Sequence, residues 1–238
     1  MMMDGILVID KPAGPTSHDV VSEVKRLLRA KKVGHLGTLD PAATGVLPLV
    51  INRATKFAKM LGGDIKIYEF DLVLGRQTDT DDDEGRVVSE MEVPEDVLGR
   101  IETLKGQFTG RILQVPPAYS AVKVGGRPLY KNAWKGRSVE VKARQVTIEE
   151  LCVLNNHMDE NGRLRVRMRM RSSSGTYVRA LCRDLGKAVG SLGHASNIRR
   201  LVSGDYKIED AVGLDAYKKL DMPERMSWIK PLTFKAMS

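Results

Sequence analysis

The sequence has few residues of the types that build metal sites and disulfide frameworks. Its 238 residues include 2 cysteines and 4 histidines. Cys152 and Cys182 do not form a CxxC pair, no histidine cluster accompanies them, and His35, His157 and His194 are scattered along the chain. We therefore predict two reduced thiols, a cytoplasmic protein and no metal site.

Long hydrophobic runs and phosphate-binding loops are also missing. The apolar run 5–9 is too short for a signal peptide and ends at Asp10, and no stretch approaches the ~18 apolar residues of a membrane span. Neither GxxxxGK[ST] nor GxGxxG occurs, and there is no HExxH motif. Since hydrophobic residues make up 42% of the chain, we expect a globular protein that does not bind membranes.

Negative charge is scarce in the second half of the chain. The formal net charge is +8. Residues 64–120 contain 6 Lys and Arg against 13 Asp and Glu, whereas residues 121–207 contain 18 against 7. Such segregation favours a polyanionic partner over an uneven but inert surface.

Hydrophobic periodicity predicts a mixed α/β domain of the α+β type. The predicted strands are 6–9, 65–75 and 163–171. The predicted helices begin at Thr16 or Ser17, at residue 54, at Pro94 and after Gly175. No repeat or linker divides the chain, so we expect a single domain over residues 1–238.

Two basic features suggest contact with nucleic acid. Strand 163–171 has five arginines on one face, at a spacing of roughly 6.6–7 Å that suits a phosphate backbone. Charge that keeps an exposed sheet soluble explains the same pattern equally well. Residues 110–138 form a predicted irregular insertion with Tyr119, Tyr130 and Trp134 among basic residues, which favours RNA because aromatic side chains stack on unpaired bases.

The acidic segment TDTDDDEG, residues 78–85, resembles a calcium-binding loop only in part. Position 6 of that template is Glu84 where glycine is required, and a strand precedes it. We predict instead a solvated hairpin connection, one of whose acids could orient a basic side chain.

A single carboxylate, Asp40, lies in the segment GHLGTLDPAATGVLP, residues 34–48. A surface loop is expected to contain more charge and a core strand none. An acid in such surroundings is usually held by hydrogen bonds or a buried cation. Two roles fit: a structural aspartate capping a turn before Pro41, or a catalytic nucleophile or base.

Several motifs in order resemble the TruB-type tRNA pseudouridine synthases, from residue 5 to about residue 206. The matching blocks are ILVIDKPAG (6–14), VGHLGTLDPAATGVLP (33–48), ATKF (54–57), IYEFDLVLGRQTDTDDDEG (67–85), VPPAYSAVKVGGRPLY (115–130), SSGTYVRALCRDLG (173–186) and GHASNIRRLVSGDY (193–206). The GTLDPAATG form separates this subgroup from relatives with an HRLD motif.

The resemblance implies a pseudouridine synthase fold: a mixed, largely antiparallel sheet with flanking helices and a basic, thumb-like insertion at about 110–138. It also implies an isomerase that needs no cofactor and acts on uridine 55 in the T-loop of tRNA. We expect a monomer that binds the T-arm stem-loop.

The site residues implied by the resemblance surround a flipped uridine. Asp40 matches the catalytic aspartate, Arg179 the arginine that pairs with it, and Tyr68 the tyrosine that stacks on uracil. Such a guanidinium would lower the pKa of the carboxyl. The matching substrate-binding positions are His35, Lys11, Lys56, Asp82 and the packing residue Leu201.

The sequence departs from the family pattern in two places. Family members usually continue into a small RNA-binding domain of the PUA type, which we expect to be absent here. Trp134 stands where an arginine is common. The rival hypotheses are a tRNA-folding or RNA-binding protein without turnover, a guide-RNA-dependent enzyme acting on ribosomal RNA, and a nucleotide-binding protein built around Asp10.

Overall fold

The computed structural model describes residues 4–120, 122–124, 126–129, 139 and 141–232. The chain forms two compact units. Unit 1 comprises Met1–Tyr68 and Arg199–Ser238, and unit 2 comprises Glu69–Ile198. Residues 130–138 of the predicted insertion, with Tyr130 and Trp134, lie outside the described residues.

Helices and strands alternate irregularly along the described residues. The α-helices are α1 (Ser17–Leu27), α2 (Ala58–Leu61), α3 (Val97–Leu104), α4 (Val178–Ala188), α5 (Leu214–Lys219) and α6 (Met222–Ser227). The 3-10 helices are Asn52–Phe57, Lys105–Phe108 and Ile208–Asp210. The strands are β1 (Gly5–Lys11), β2 (Val33–His35), β3 (Thr44–Ile51), β4 (Ile65–Leu74), β5 (Arg76–Thr78), β6 (Val87–Glu90), β7 (Gly110–Gln114), β8 (Lys123–Val124), β9 (Arg127–Pro128), β10 (Arg144–Met158), β11 (Leu164–Ser173), β12 (Gly193–Ser203), β13 (Tyr206–Lys207), β14 (Val212–Gly213) and β15 (Lys230–Pro231).

Unit 1 is organised around β1 and β3, which pair antiparallel from Gly5↔Ile51 to Lys11↔Gly45. The strand order is β14–β1–β3–β12, with β15 also on β1, β2 on β3 and β13 on β12. Both faces of β1 and β3 are buried, so each strand is apolar throughout. The parallel pairing of β12 with β3 places Arg199 and Arg200 opposite Thr44 and Gly45.

Unit 2 contains the strand order β4–β11–β10–β7. Strands β10 and β11 pair antiparallel from Ile148↔Ser172 to Met158↔Leu164. Residues 110–114, at the start of the predicted insertion, form β7, which pairs antiparallel with the first part of β10. Strands β5 and β6 form a separate antiparallel hairpin.

The structure confirms the predicted mixed α/β fold with a largely antiparallel sheet. Helix α1 begins at Ser17 because Thr16 and Asp19 form a capping box at its start. Helix α4 buries the predicted face, which includes Val178, Leu181 and Leu185. The predicted helix at 54–61 is in fact a 3-10 helix followed by the short α2.

The sequence also led to predictions about the two cysteines and about membrane-spanning segments. Cys152 and Cys182 are both free thiols, and the second is buried. No helix within the described ranges is long and apolar enough to cross a membrane.

A buried lysine, Lys66 of β4, links the end of α2 to β12. Its Nζ donates to the carbonyl oxygens of Gly62 at 2.7 Å and Gly63 at 3.1 Å, and to Ser203 Oγ at 3.1 Å. Burial, together with the charge of Arg200, lowers the pKa of Lys66 from 10.5 to about 8. Holding this ammonium ion in the folded state therefore opposes folding at neutral pH.

The pKa of Lys66 predicts a rise in stability with pH. Between pH 8 and 10.5 the unfolded chain binds more protons than the folded chain at this side chain, whose pKa is lowered by folding. The free energy of unfolding of the wild type, measured relative to Lys66→Met by urea denaturation, should therefore increase by up to about 1.4 kcal/mol per pH unit. The exposed Lys219→Met variant serves as the control. Because it retains Lys66, its stability should rise with pH as that of the wild type does, so the difference between the wild type and Lys219→Met should not depend on pH. Parallel pH curves for the wild type and Lys66→Met would contradict the prediction.

Candidate functional site

Asp40 lies in a tight loop, residues 36–43, between β2 and β3 of unit 1. The side chains of Leu36, Leu39 and Ala43 are buried and anchor the loop, while Asp40 is half-buried. The Ala43 amide donates to the Asp40 carbonyl oxygen at 3.1 Å and closes a turn. The loop therefore has an apolar underside and presents its single carboxylate at the edge of that core.

Ser17, the first residue of α1, fixes the residue before Asp40. Its hydroxyl donates to the Leu39 carbonyl oxygen and accepts from the Leu39 amide, both at 2.9 Å. This pair of bonds is buried. From the sequence alone, Ser17 was a candidate only for the helix cap. Since Thr16 provides that cap, Ser17 is available to clamp the loop.

Two fully buried cations bind the same loop through its carbonyl oxygens. Lys11, with 0% of its surface exposed, donates from Nζ to the carbonyl oxygens of Pro12 and Pro41, each at 2.8 Å. Arg200 is 1% exposed. One of its terminal nitrogens donates to the Gly37 carbonyl oxygen at 3.0 Å and the other to that of Thr38 at 3.3 Å.

The remaining donor of Arg200, Nε, binds the carbonyl oxygen of Val46 in β3 at 2.8 Å. Arg200 therefore joins the first part of the loop and strand β3 to β12. Lys11 places positive charge beside Pro41, which follows Asp40, and Arg200 places it beside Gly37 and Thr38. This arrangement supports a carboxylate in a half-buried position, where an isolated acid would be costly to ionise.

His35, at the end of β2, adjoins the Asp40 loop. Its Nδ1 accepts a hydrogen bond from the Gly37 amide at 3.4 Å. Burial lowers the pKa of His35, and the charges of Arg200 and His18 act in the same direction. The imidazole is therefore neutral at neutral pH, and its proton lies on Nε2.

The other predicted residues of unit 1 lie on separate elements. Tyr68 is buried in β4, and Leu201 is half-buried in β12. Lys56 is exposed in the 3-10 helix Asn52–Phe57. Of the predicted residues in unit 1, Lys11 and His35 contact the Asp40 loop directly. The predicted residues in unit 1 are Asp40, His35, Lys11, Tyr68, Lys56 and Leu201.

Unit 2 contains Asp82 and Arg179, and it brings them together. Arg179, in the first turn of α4, is 3% exposed, and one of its terminal nitrogens lies 3.5 Å from Asp82 Oδ2. The guanidinium also donates to the carbonyl oxygens of Thr80 at 2.9 Å and Tyr119 at 3.0 Å. Because Asp40 belongs to unit 1, its pairing with Arg179 stays a prediction of the family resemblance.

The acidic segment 78–85 connects β5 to β6, so the predicted hairpin is confirmed. The expectation that its acids are solvated is wrong for Asp81 and Asp82, which are buried. Asp81 lies 2.9 Å from Arg183. Burial raises the pKa of Asp81, although Arg183 opposes the shift. These acids neutralise arginines of α4 and fix the position of that helix.

A further acid of the segment, Asp83, binds His194 and Ser196 of β12. One carboxylate oxygen lies 2.9 Å from His194 Nε2, and the other accepts from the Ser196 hydroxyl. The Nδ1 atom of His194 lies 3.0 Å from the carbonyl oxygen of Arg76. His194 is therefore a structural connection of the hairpin to β12, as its isolated place in the sequence suggested.

Three of the five arginines predicted to share one face of β11 pair with acids. Arg165 pairs with Asp159 at 2.9 Å. Arg167 pairs with Asp71 at 3.1 Å and with Glu69 at 3.2 Å. Arg171 pairs with Glu149. Guanidinium groups already neutralised by carboxylates are poor counterions for phosphates, so the phosphate-tracking hypothesis for this strand is not supported.

Two other kinds of site considered from the sequence were a nucleotide-binding site at Asp10 and a metal site. Asp10, the centre of the rival nucleotide-binding hypothesis, pairs with Arg199 at 2.8 Å. Within the described part of the chain, no group of three or more His, Cys, Asp or Glu could hold a metal ion.

The Ser17 clamp predicts a measurable loss of stability. Ser17→Ala removes both hydrogen bonds to Leu39 and leaves a buried amide and a buried carbonyl unsatisfied, which should cost about 2 kcal/mol. Ser22→Ala, on the exposed side of the same helix, should change the free energy of unfolding by less than about 0.5 kcal/mol. Urea denaturation of both variants measures the difference. Equal effects would show that Ser17 does not hold the loop.

Comparison with known proteins supports a single family. Residues 25–178 match the family model described as TruB family pseudouridylate synthase (N terminal domain). A relative named tRNA pseudouridine synthase B, from Francisella philomiragia, is 41% identical over 228 residues, which cover 95% of this chain and 74% of the relative. A relative of the same name from Burkholderia lata is 43% identical over 231 residues, covering 97% of this chain and 70% of the relative.

Solved structures agree with this assignment. The chain is similar to one in the crystal structure of a Cbf5-Nop10-Gar1 complex, with a TM-score of 0.70 and 32% identity. It is also similar to a chain of the archaeal box H/ACA sRNP Nop10-Cbf5 complex, with a TM-score of 0.67 and 28% identity. Each match covers 95% of this chain, which spans 60% and 59% of the length of those neighbours. The sequence and structural similarities together show that the chain belongs to the TruB family of pseudouridylate synthases.

Proposed function

We propose that this protein converts uridine 55 in the T-loop of tRNA to pseudouridine, with Asp40 as the catalytic carboxylate. Its family membership makes it an isomerase that forms pseudouridine in tRNA. The single observation that supports Asp40 is its place in a loop fixed by Ser17, Lys11 and Arg200. A rigidly held carboxylate on an apolar loop meets the requirement for accurate positioning of a reacting group.

The reaction breaks the bond between ribose C1′ and uracil N1 and forms a bond between C1′ and C5. The C5 proton leaves and N1 gains a proton, so the reaction needs no oxidant, reductant or second substrate. The target base must leave the stack, because the glycosidic bond and the uracil ring are shielded in a helix. This requirement places the reacting nucleotide in a pocket and not on an open surface.

Asp40 acts in its ionised form, as a nucleophile or base must. Three steps are compatible with a carboxylate: attack on C1′, attack on C6, or assistance to elimination at the 2′ position. The apolar side chains of Leu36 and Leu39 beneath the loop limit the access of water. Exclusion of water protects an activated C1′ from hydrolysis.

The remaining candidate residues bind or orient the substrate in this proposal. Tyr68 stacks on the uracil and is the candidate for removing the C5 proton. His35, neutral and protonated on Nε2, donates to the RNA near the flipped base. Lys56 and Leu201 contact the RNA and the base, and Arg179 pairs with Asp40 while Asp82 orients that guanidinium.

The role of Lys11 differs from the one that the resemblance implies. Its Nζ donates to two carbonyl oxygens, and the side chain is fully buried. We therefore assign Lys11 to positioning the Asp40 loop instead of binding RNA directly. Lys11→Met should lower the rate at saturating RNA more than it weakens RNA binding.

The proposed partner is the T-arm stem-loop of tRNA, bound by a monomer in the cytoplasm, where its substrate is found. Among rival functions, guide-dependent modification of ribosomal RNA has weaker support. The relatives named tRNA pseudouridine synthase B are 41% and 43% identical, whereas the Cbf5 chains are 32% and 28% identical.

Tritium release and product mapping test the proposed reaction. The wild type should release tritium from a T-arm stem-loop labelled at C5 of its uridines, and pseudouridine should be mapped at position 55 alone. A matched RNA with cytidine at that position should release none. Tight binding without release would support the RNA-binding alternative, and product at another position would refute the proposed substrate.

A further inference from the structure

We propose that one exposed surface of unit 1, which we call the basic patch, binds the phosphate backbone of the tRNA. This inference rests on the proposed function, because it assumes an RNA substrate. The side chains of the basic patch are all exposed and basic. They are Lys25, Arg29, Lys31, Lys32, Lys56 and Lys59.

Asn52 brings the two segments of the basic patch together. Its side-chain oxygen accepts from the Lys31 amide at 3.0 Å and the Lys32 amide at 3.3 Å. Its own amide donates to the Lys32 carbonyl oxygen at 2.8 Å. Asn52 has a φ of 53°, a left-handed conformation that asparagine tolerates better than most residues. The segment after α1 is thereby fixed beside the start of the 3-10 helix Asn52–Phe57.

The second segment presents its basic residues in a row. Arg53 and Lys56 are three residues apart in a 3-10 helix, where side chains at that spacing eclipse one another. Lys59 follows three residues later in α2 and is also exposed. Arg53, Lys56 and Lys59 are therefore exposed at intervals of three residues along this segment.

Positive charge in the basic patch is not balanced by acids of the same segments. Residues 25–32 and 53–61 contain neither Asp nor Glu. Glu23 pairs with Arg26 at 2.7 Å, and Asp4 pairs with Arg53. These two acids are thus matched to arginines that are not part of the patch. A phosphate backbone that displaces counterions from such a surface gains binding free energy.

The basic patch is continuous with the loop proposed to be catalytic. Lys32 immediately precedes β2, which ends at His35, and the Asp40 loop follows. Three residues of extended strand span about 10 Å. RNA with a flipped base at this loop therefore has its backbone within reach of the patch.

The test compares two variants that lose the same charge. Lys31→Gln, Lys32→Gln and Lys59→Gln together remove three charges from the patch and retain the main-chain bonds to Asn52. Lys187→Gln, Lys207→Gln and Lys219→Gln remove three exposed charges elsewhere. Lys56 is left unchanged because it is a candidate substrate-binding residue. Thermal unfolding should show that both variants are folded.

Affinity for an unmodified T-arm stem-loop is measured over a range of salt concentrations, together with the single-turnover rate at saturating RNA. The patch variant should bind at least about tenfold more weakly near 0.1 M salt, and the slope of log K against log salt should fall by about 2 to 3 units. The control should bind within about threefold of the wild type. The rate at saturating RNA should be unchanged in both.

Two outcomes would overturn the inference: equal weakening in both variants, which indicates net charge alone, or no weakening in the patch variant. Failure of the proposed function is distinguishable. A wild type that forms no pseudouridine but binds RNA through the patch would refute the activity and retain the binding surface. If the wild type forms pseudouridine and the patch variant binds RNA as tightly as the wild type, the proposed activity is retained and the binding surface is refuted.

Discussion

Hydrogen bonds from buried cations to main-chain carbonyl oxygens determine the shape of the Asp40 loop. Within the loop, Lys11 binds the carbonyl oxygen of Pro41, and Arg200 binds those of Gly37 and Thr38. Outside the loop, Lys11 also binds Pro12 and Arg200 also binds Val46. Both cations are buried, and their hydrogen bonds to carbonyl oxygens place positive charge beside the loop that contains the carboxylate.

Close backbone contact makes this arrangement possible. A side chain on Gly45 would place its Cβ 2.2 Å from the Arg200 carbonyl oxygen, and the φ of Gly45 is 102°. Only glycine therefore allows β12 to approach β3 closely enough for the Arg200 guanidinium to reach the loop. The glycine that follows Thr44 in the loop motif thus has a packing role, which explains why the acid lies among glycines and apolar residues.

Local periodicity predicted elements whose burial follows a regular pattern, such as α1, α4 and β11. Local periodicity could not predict which residues an exposed face contacts in the folded protein. The arginines of β11 alternate as a solvent face should, yet Arg167 pairs with Glu69 and Asp71, which come from a distant part of the sequence. The burial of Asp82 and the contribution of Arg200 also depend on tertiary contacts that no spacing in the chain encodes. The apolar surroundings of Asp40 are visible in the sequence, but spacing alone left a structural and a catalytic role open, and the cations that hold its loop, Lys11 and Arg200, come from distant positions.

The most direct test of the account concerns the carboxylate itself. Asp40→Asn keeps the size and polarity of the side chain and removes its charge, with the exposed Asp205→Asn of the same unit as the matched control. We expect the single-turnover rate of pseudouridine formation by Asp40→Asn to fall by at least about 10³-fold, with RNA affinity within about threefold of the wild type and full activity in the control. Retention of more than about a tenth of the wild-type rate by Asp40→Asn would contradict the assignment of Asp40 as the catalytic residue.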